Sequence, residues 1–149
     1  MPIPNGVEKY LKLVEHDLRL LDLLTKERSD DLATENFTDW QATLLFYMAC
    51  IYLKAVCLTF GEDIQDHFSL RQQINARKEL AAISAPYRHL EEASRDARYE
   101  GRTFDRQYLL ERLLPKFLAV RDCAVSLLER GGIKNVPRVD PTLYLLRNA

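Results

Sequence analysis

The sequence has no surplus of either charge and few cysteines. Its 149 residues include 21 Lys and Arg against 22 Asp and Glu, which gives a net charge of −1. Proteins that bind duplex nucleic acid usually have a clear basic excess, so any contact with nucleic acid is expected to be local. The three cysteines, Cys50, Cys57 and Cys123, are odd in number and scattered. This pattern argues against a disulfide framework, and reduced thiols in a cytoplasmic protein are predicted.

Several functional motifs are also missing from the sequence. It contains no glycine-rich phosphate loop, no zinc-ligand spacing and no nucleophile elbow. Residues 1–10 lack the apolar core of a signal peptide. Residues 42–60 form a long apolar run, but Lys54 lies well inside it. Because a membrane-spanning helix needs about 20 predominantly apolar residues, this run is predicted to be the core helix of a protein without a membrane span.

The apolar residues that are present recur at three- and four-residue steps, which predicts helices and no strands. The glycines fall between the periodic segments, where they end or join helices without weakening them. The predicted helices cover about 7–27, 38–60, 66–83, 86–100 and 104–130. The predicted fold class is therefore all-α, an up-and-down bundle of four or five helices. The bundle is expected to span 1–132, and the tail 133–149 is expected to hold a short helix that Asp140 and Pro141 begin.

Local signals define some helix ends. Residues 28–37 are polar and are predicted to be a connector. Thr38 and Gln41 have the spacing of a capping box, which predicts that the second helix begins with reciprocal bonds between them. Pro115 lies inside the periodic pattern of the fifth helix, where proline removes a backbone donor and clashes with the preceding turn. Either this helix kinks there, or two helices meet at Leu114.

One stripe of the fourth helix is polar. Its members are spaced by four, three and four residues: Tyr87, Glu91, Ser94 and Arg98. A guanidinium beside hydroxyl groups suits the binding of a phosphate or a carboxylate. The alternative is a buried polar network that fixes the packing of the helices.

His67 and Arg71 lie one turn apart at the start of the third helix. Histidine transfers protons and arginine stabilises developing charge, so these two residues and Arg98 are candidate catalytic residues for phosphodiester cleavage. The alternative is a solvated helix start, with Asp63 and Asp66 placed favourably for the helix dipole. A metal site built from His67 and these two acids has too few ligands, and neither a metal nor a cofactor is predicted.

Tyr47 and Tyr52 lie five residues apart on the second helix and must point in different directions. One is expected to meet the core, and the other is expected to meet a cleft or a partner. Such aromatic residues are more often core residues than ligand contacts.

Three separate blocks of the chain carry distinctive residues in a fixed order. The first is FYMACIYLKA at 46–55, the second is His67 with Arg71, and the third is YRHLEEASRDARY at 87–99. Together these blocks resemble the HEPN superfamily of small prokaryotic helical bundles. The residues that match the family pattern in the outer blocks are Phe46, Tyr47, Ala49, Tyr52 and Ala55, and then Tyr87, Leu90, Ser94, Ala97, Arg98 and Tyr99. The resemblance covers about residues 38–101.

The chain departs from the family in two places. Ile51 stands where many relatives have histidine, and the ribonuclease motif of an arginine followed four to six residues later by a histidine is absent. The resemblance therefore implies a helical bundle that often dimerises, and it does not imply ribonuclease activity. Members of the superfamily are associated with toxin–antitoxin modules, phage defence and the binding of nucleotides or RNA.

Three functions follow as expectations. The favoured one is a non-catalytic HEPN-like module that binds a nucleotide, RNA or a protein partner. The others are a divergent metal-independent ribonuclease that uses His67, Arg71 and Arg98, and a structural dimerisation subunit. A homodimer is predicted, with its contact on the second or fourth helix and the tail docked on the neighbour. The predicted ligand-binding residues converge on one cleft: Tyr47, His67, Arg71, Tyr87, Ser94 and Arg98.

Overall fold

The described part of the chain is helical. The structure, a computed structural model, describes residues 6–25 and 37–146, and within these ranges it contains helices and no strand. The elements in chain order are α1 (Val7–Thr25), α2 (Thr38–Thr59), α3 (His67–Ala76), a 3₁₀-helix (Lys78–Ile83), α4 (Ser84–Tyr99), α5 (Arg106–Tyr108), a π-turn (Leu109–Leu113), α6 (Leu114–Arg130) and α7 (Thr142–Leu146). The all-α prediction is confirmed. The end of the first predicted helix and most of the predicted connector, 26–36, lie outside the described residues.

The central element is α2, which packs against α1, α4 and α6. It is the one described helix long and apolar enough to cross a membrane, but 83% of its most apolar window is buried inside the protein. This is the environment of a core helix in a soluble protein, as the position of Lys54 predicted. A single chain therefore already covers α2, so the apolar character of α2 does not by itself require a second subunit.

The predicted capping box at the start of α2 is wrong. Thr38 is the first residue of the helix and not its N-cap. The N-cap residue is Phe37, which makes no side-chain capping hydrogen bond. The Thr38 hydroxyl accepts a hydrogen bond from the backbone N–H of Phe104 at 3.0 Å. Thr38 is buried, so this hydroxyl satisfies a backbone group in the loop before α5 instead of one in its own first turn.

The predicted third helix is divided at Arg77. Arg77 has an extended backbone, with φ −101° and ψ 124°, and the chain continues as the 3₁₀-helix. The Arg77 guanidinium lies 4.2 Å from the centre of the Phe60 ring. In turn, α4 begins at Ser84, two residues earlier than predicted, and Pro86 falls in its first turn. Proline is tolerated there because the N–H groups of the first turn have no acceptor within the helix.

The second alternative for Pro115 is confirmed, because α6 begins at Leu114 and the proline lies in its first turn. The chain stays helical from Arg106 to Arg130, but Leu109–Leu113 form a π-turn just before the proline. Here the N–H of Leu114 donates to the carbonyl of Leu109, five residues earlier. A proline inside a helix clashes with the carbonyl four residues before it. The widened turn is one way for the helix to accommodate that clash and continue.

The described tail packs against its own chain. The Tyr52 hydroxyl accepts from the backbone N–H of Val139 at 3.0 Å and donates to the carbonyl of Pro137. Arg121 of α6 donates to the carbonyl of Val139 at 3.0 Å. Beyond this point the Asp140 carboxylate accepts from the N–H of Thr142 and begins α7, which confirms the predicted start of the short helix.

Tyr52→Phe is expected to loosen the tail and to lower the free energy of unfolding by about 1–2 kcal/mol. The change keeps the buried ring but leaves the N–H of Val139 and the carbonyl of Pro137 without their partner. Urea unfolding measures this loss, and amide exchange at Val139 reports the loosening directly. Tyr99→Phe is the matched control because Tyr99 is 72% exposed. Equal unfolding midpoints for the two variants would contradict this role of Tyr52.

Candidate functional site

One side of α2 faces α3 and α4 and carries several of its polar groups. Thr43, Tyr47, Cys50 and Lys54 follow each other at steps of four, three and four, so they share this side. Tyr52 points away from it, and its side chain is fully buried. Tyr47 is half-buried at the junction with α4. The prediction that these two tyrosines meet different surroundings is confirmed.

A chain of polar contacts begins at the first turn of α3. Nδ1 of His67 lies 3.9 Å from Sγ of Cys50, and this sulfur lies 3.8 Å from the hydroxyl of Tyr87. The Tyr87 hydroxyl donates to Oε2 of Glu91 at 3.5 Å. At the other end, Nη1 of Arg71 donates to both carboxylate oxygens of Glu91 at 3.0 Å. The contacts therefore join α2, α3 and α4 through one buried carboxylate.

The ring of Phe46 fills the space beside this chain of contacts. It is fully buried. Its centre lies 5.4 Å from the ring of His67, 5.7 Å from that of Tyr87 and 5.8 Å from that of Tyr47. Aromatic pairs at these separations pack favourably. Phe46 therefore fixes three of the polar residues against one another.

Arg98 lies at the other end of the α4 stripe. Its Nη1 donates to the Tyr47 hydroxyl at 3.0 Å, and its Nε donates to the carbonyl of Ser94 at 3.3 Å. The guanidinium carbon is 5.5 Å from the ring centre of Tyr47 and 5.1 Å from that of Tyr99. Arg98 forms no ion pair with any residue in the described ranges.

The six predicted ligand-binding residues lie at two depths, four at the surface and two beneath it. Tyr47, His67, Arg71 and Arg98 are partly exposed, whereas Tyr87 and Ser94 are 2% and 0% exposed. Tyr87 supports Cys50 and Glu91 from below. Within the described part of the chain, the Ser94 hydroxyl has no hydrogen-bond partner. A ligand at the surface would therefore meet the first four residues, while the last two lie beneath them.

The surface above Glu91 is rich in cations. Arg71 and Arg95 lie 3.0 and 3.7 Å from the Glu91 carboxylate, whose side chain is 7% exposed. Lys54 and Arg98 act on His67 through their charges, as do Arg71 and Glu91. We call this surface the cationic face and define it as Tyr47, Lys54, His67, Arg71, Arg95 and Arg98. The face thus carries four full positive charges, and one buried negative charge, that of Glu91, lies beneath it.

Burial changes the acid–base properties of the central groups. Burial, and then the charge of Lys54, lowers the pKa of His67 below its usual value. Burial also raises the pKa of the Cys50 thiol to about 12 and raises the pKa of Tyr87. Cys50 is therefore a protonated thiol near neutral pH and not a nucleophile, while His67 has a neutral imidazole.

The acids beside His67 make local bonds. The Asp66 carboxylate accepts from the N–H of Ser69 at 2.7 Å and from its hydroxyl at 3.0 Å, so it caps α3. The Asp63 carboxylate accepts from the Gln65 amide at 2.8 Å. Over residues 6–25 and 37–146, the structure has no group of three or more His, Cys, Asp or Glu side chains that could hold a metal ion.

Comparisons with known proteins yield no relative. Neither a protein-family model, nor a curated protein, nor a solved structure matches this chain. The similarity to the HEPN superfamily therefore depends on the three sequence blocks alone, and it stays a prediction.

Sequence reasoning missed three members of this site: Arg95 on α4, and Cys50 and Lys54 on α2. Cys50 lies between His67 and Tyr87, and Lys54 belongs to the cationic face. Both follow Tyr47 on the same side of α2, at steps of three and four. The helical spacing was therefore a usable signal, but the apolar surroundings led to the interpretation that this segment is core alone.

The lowered pKa of His67 predicts an acid-sensitive contribution to stability. As the pH falls below the ordinary histidine pKa of about 6.5, the unfolded chain binds a proton at this position more readily than the folded chain does. Stability should therefore decrease from about pH 7.5 to about pH 5.5. The free energy of unfolding of the His67→Gln variant, measured by urea unfolding, should decrease less over this interval. His89, whose pKa is also lowered by burial, provides the same background in both proteins. Parallel pH profiles would contradict the assignment.

Proposed function

We propose that this chain is a non-catalytic HEPN-like module that binds the phosphate of a nucleotide or of RNA on the cationic face. The observation that carries the proposal is the local charge. The cationic face carries four cations on a chain whose net charge is only −1, and two of them, Arg71 and Arg95, contact the buried carboxylate of Glu91. Arginine presents its donors in a planar fork that suits phosphate oxygens.

Arg71 and Arg98 each have N–H donors that a ligand can use. Within the described residues, Arg71 bonds Glu91 through Nη1 alone, so its Nη2 and Nε have no protein acceptor. Arg98 donates to the phenol of Tyr47 and to the carbonyl of Ser94, and among the described residues it forms no hydrogen bond to a carboxylate. Tyr47 therefore orients Arg98 without neutralising it.

Binding is better supported than cleavage on this face. Cleavage by general acid–base catalysis uses groups that gain and lose protons near neutral pH. Here the one imidazole is His67, because His89 pairs with Tyr108 elsewhere at 2.9 Å. The cations of the face are one lysine and three arginines, and these residue types do not exchange protons readily near neutral pH. RNA incubated with the pure protein should remain intact. Cleavage by wild type that His67→Ala abolishes would instead establish the ribonuclease alternative.

The binding test is a calorimetric titration with the four ribonucleoside 5′-monophosphates and a short mixed-sequence RNA. Binding should weaken as salt is raised, because charge neutralisation drives it. Arg130→Ala is a suitable control, since Arg130 is an exposed arginine at the end of α6. No heat of binding with any of these probes would overturn the proposal and leave the structural-subunit alternative.

The proposal includes a cytoplasmic homodimer, in a toxin–antitoxin or phage-defence setting as the resemblance implies. Because α2 is covered by its own chain, we propose that the symmetric contact uses α1, which carries three exposed leucines, Leu13, Leu20 and Leu23. Such leucines are natural parts of an isologous interface.

Light scattering is expected to give twice the 17.3 kDa mass of one chain at micromolar concentration. Leu20→Glu should give the mass of one chain, because it places a charge in the apolar contact. Trp40→Glu serves as a control because it places the same charge at an exposed apolar residue of α2. A wild-type protein with the mass of a single chain would contradict the dimer, and a dimeric Leu20→Glu variant would contradict the contact on α1.

A further inference from the structure

A small pocket lies beside the cationic face, where the first turns of α2 meet the last turn of α4. Its volume is about 350 Å³, and it is lined by Asp39, Trp40, Thr43, Ala97 and Arg98. Arg98 belongs both to this pocket and to the cationic face. A ligand whose anionic group binds on that face can therefore extend into the pocket.

One exposed aromatic ring lines this pocket, and a second lies against the arginine that lines it. Trp40 lines it and is 52% exposed, and Tyr99 is 72% exposed and lies against the Arg98 guanidinium, which also lines the pocket. Large aromatic side chains are costly to leave in water. Together with an arginine plane they form the kind of surface on which a nucleobase stacks.

An unpaired acceptor also lines the pocket. Oδ1 of Asp39 is buried and has no hydrogen-bond partner among the described residues. The Thr43 hydroxyl donates to the backbone carbonyl of Asp39 at 2.9 Å, so it does not serve the carboxylate. A buried carboxylate oxygen without a donor is unfavourable. The pocket therefore favours a ligand whose planar ring carries N–H donors along one edge.

We propose that this pocket binds the base of a guanine nucleotide. Guanine is planar, and its N1–H and N2 amino group lie side by side as donors toward a carboxylate such as that of Asp39. Adenine presents an acceptor at N1, which the carboxylate would repel. The inference rests on the proposed function, since the phosphate would lie toward Arg98 and His67.

The dimensions of α2 agree with this arrangement. Thr43 lines the pocket, and Cys50 contacts His67 on the cationic face. The rise along the helix between these two residues is about 10 Å. A single nucleotide with its base in the pocket thus reaches the cationic face with its phosphate.

The test is a calorimetric comparison of GMP, IMP, AMP and XMP, the last being xanthosine monophosphate. The wild type should bind GMP about 5- to 150-fold more tightly than AMP, the range for one well-formed pair of base contacts. IMP should be intermediate because it lacks the amino group. Asp39→Asn replaces an acceptor with a donor and should invert the order, so that XMP binds more tightly than GMP. Trp40→Ala should weaken the binding of GMP more than the binding of inorganic pyrophosphate.

The outcomes separate this inference from the proposed function. If all four nucleotides bind equally and Asp39→Asn changes nothing, the base pocket is refuted while the phosphate site stands. If guanosine binds as tightly as GMP and Arg98→Lys has no effect on either, the pocket stands and the phosphate site fails. If neither guanosine nor any nucleotide binds, both are refuted. Circular dichroism of each variant excludes unfolding as the cause of a lost affinity.

Discussion

Arg71→Met should destabilise the folded protein by about 2–3 kcal/mol, measured as the free energy of unfolding in urea. Removing the guanidinium leaves the Glu91 carboxylate, whose side chain is 7% exposed, without its closest cation. Loss of one partner of a fully buried ion pair costs about 3–5 kcal/mol. The smaller figure applies here because the Arg71 side chain is 40% exposed and Arg95 remains 3.7 Å from the carboxylate.

Two further variants make this first result specific. Arg95→Met should cost less than about 1 kcal/mol, since Arg95 is mostly exposed and solvent screens its charge. Adding Glu91→Gln to Arg71→Met should recover part of the lost stability, because the amide needs no counter-charge. A double variant less stable than Arg71→Met alone would contradict the assignment of Glu91 as the buried charge of the site.

Arg98→Ala should weaken nucleotide binding by about 1.5–3 kcal/mol, or roughly 10- to 150-fold in dissociation constant. The same change should lower the free energy of unfolding by less than about 1 kcal/mol, because the Tyr47 phenol that it leaves behind is half-buried and water can replace the lost donor. Arg98→Lys keeps the charge but not the planar fork, so an intermediate affinity is expected.

The opposite order of effects would refute a binding role. If Arg98 is only structural, Arg98→Ala lowers the stability strongly and has no effect on any ligand. Arg130→Ala, on an exposed position of α6, should change neither quantity. The comparison therefore separates binding from packing within one set of variants.

Much of the fold could be predicted from the sequence because its signals are local. Apolar periodicity gave the long helices, and Asp140 correctly marked the start of α7. The wrong details depend on distant partners. Thr38 binds Phe104, 66 residues away, and this choice cannot be read from the first turn of α2. Likewise, the π-turn before Pro115 is one of several ways to accommodate a proline.

For the site, too, the local features could be predicted and the features that depend on distant neighbours could not. Helical spacing correctly put Glu91 and Arg98 on one stripe of α4, and it put His67 and Arg71 one turn apart. Burial could not be predicted, because it depends on which neighbour covers each position. Tyr87 lies under Phe46 and Cys50, two residues of another helix. For that reason a stripe that looked uniformly polar contains three buried residues, Tyr87, Glu91 and Ser94, and one partly exposed residue, Arg98.

The central claim is that the cationic face binds nucleotide phosphate, and an NMR titration of the ¹⁵N-labelled protein tests it most directly. The titrant is an equimolar mixture of the four ribonucleoside 5′-monophosphates. The account predicts saturable shifts of backbone amides in three places: 39–54 of α2, 66–71 at the start of α3 and 94–99 of α4. Amides of α6 and of the tail around Val139 should not move. An unchanged spectrum, or shifts confined to α6 and the tail, would contradict the account.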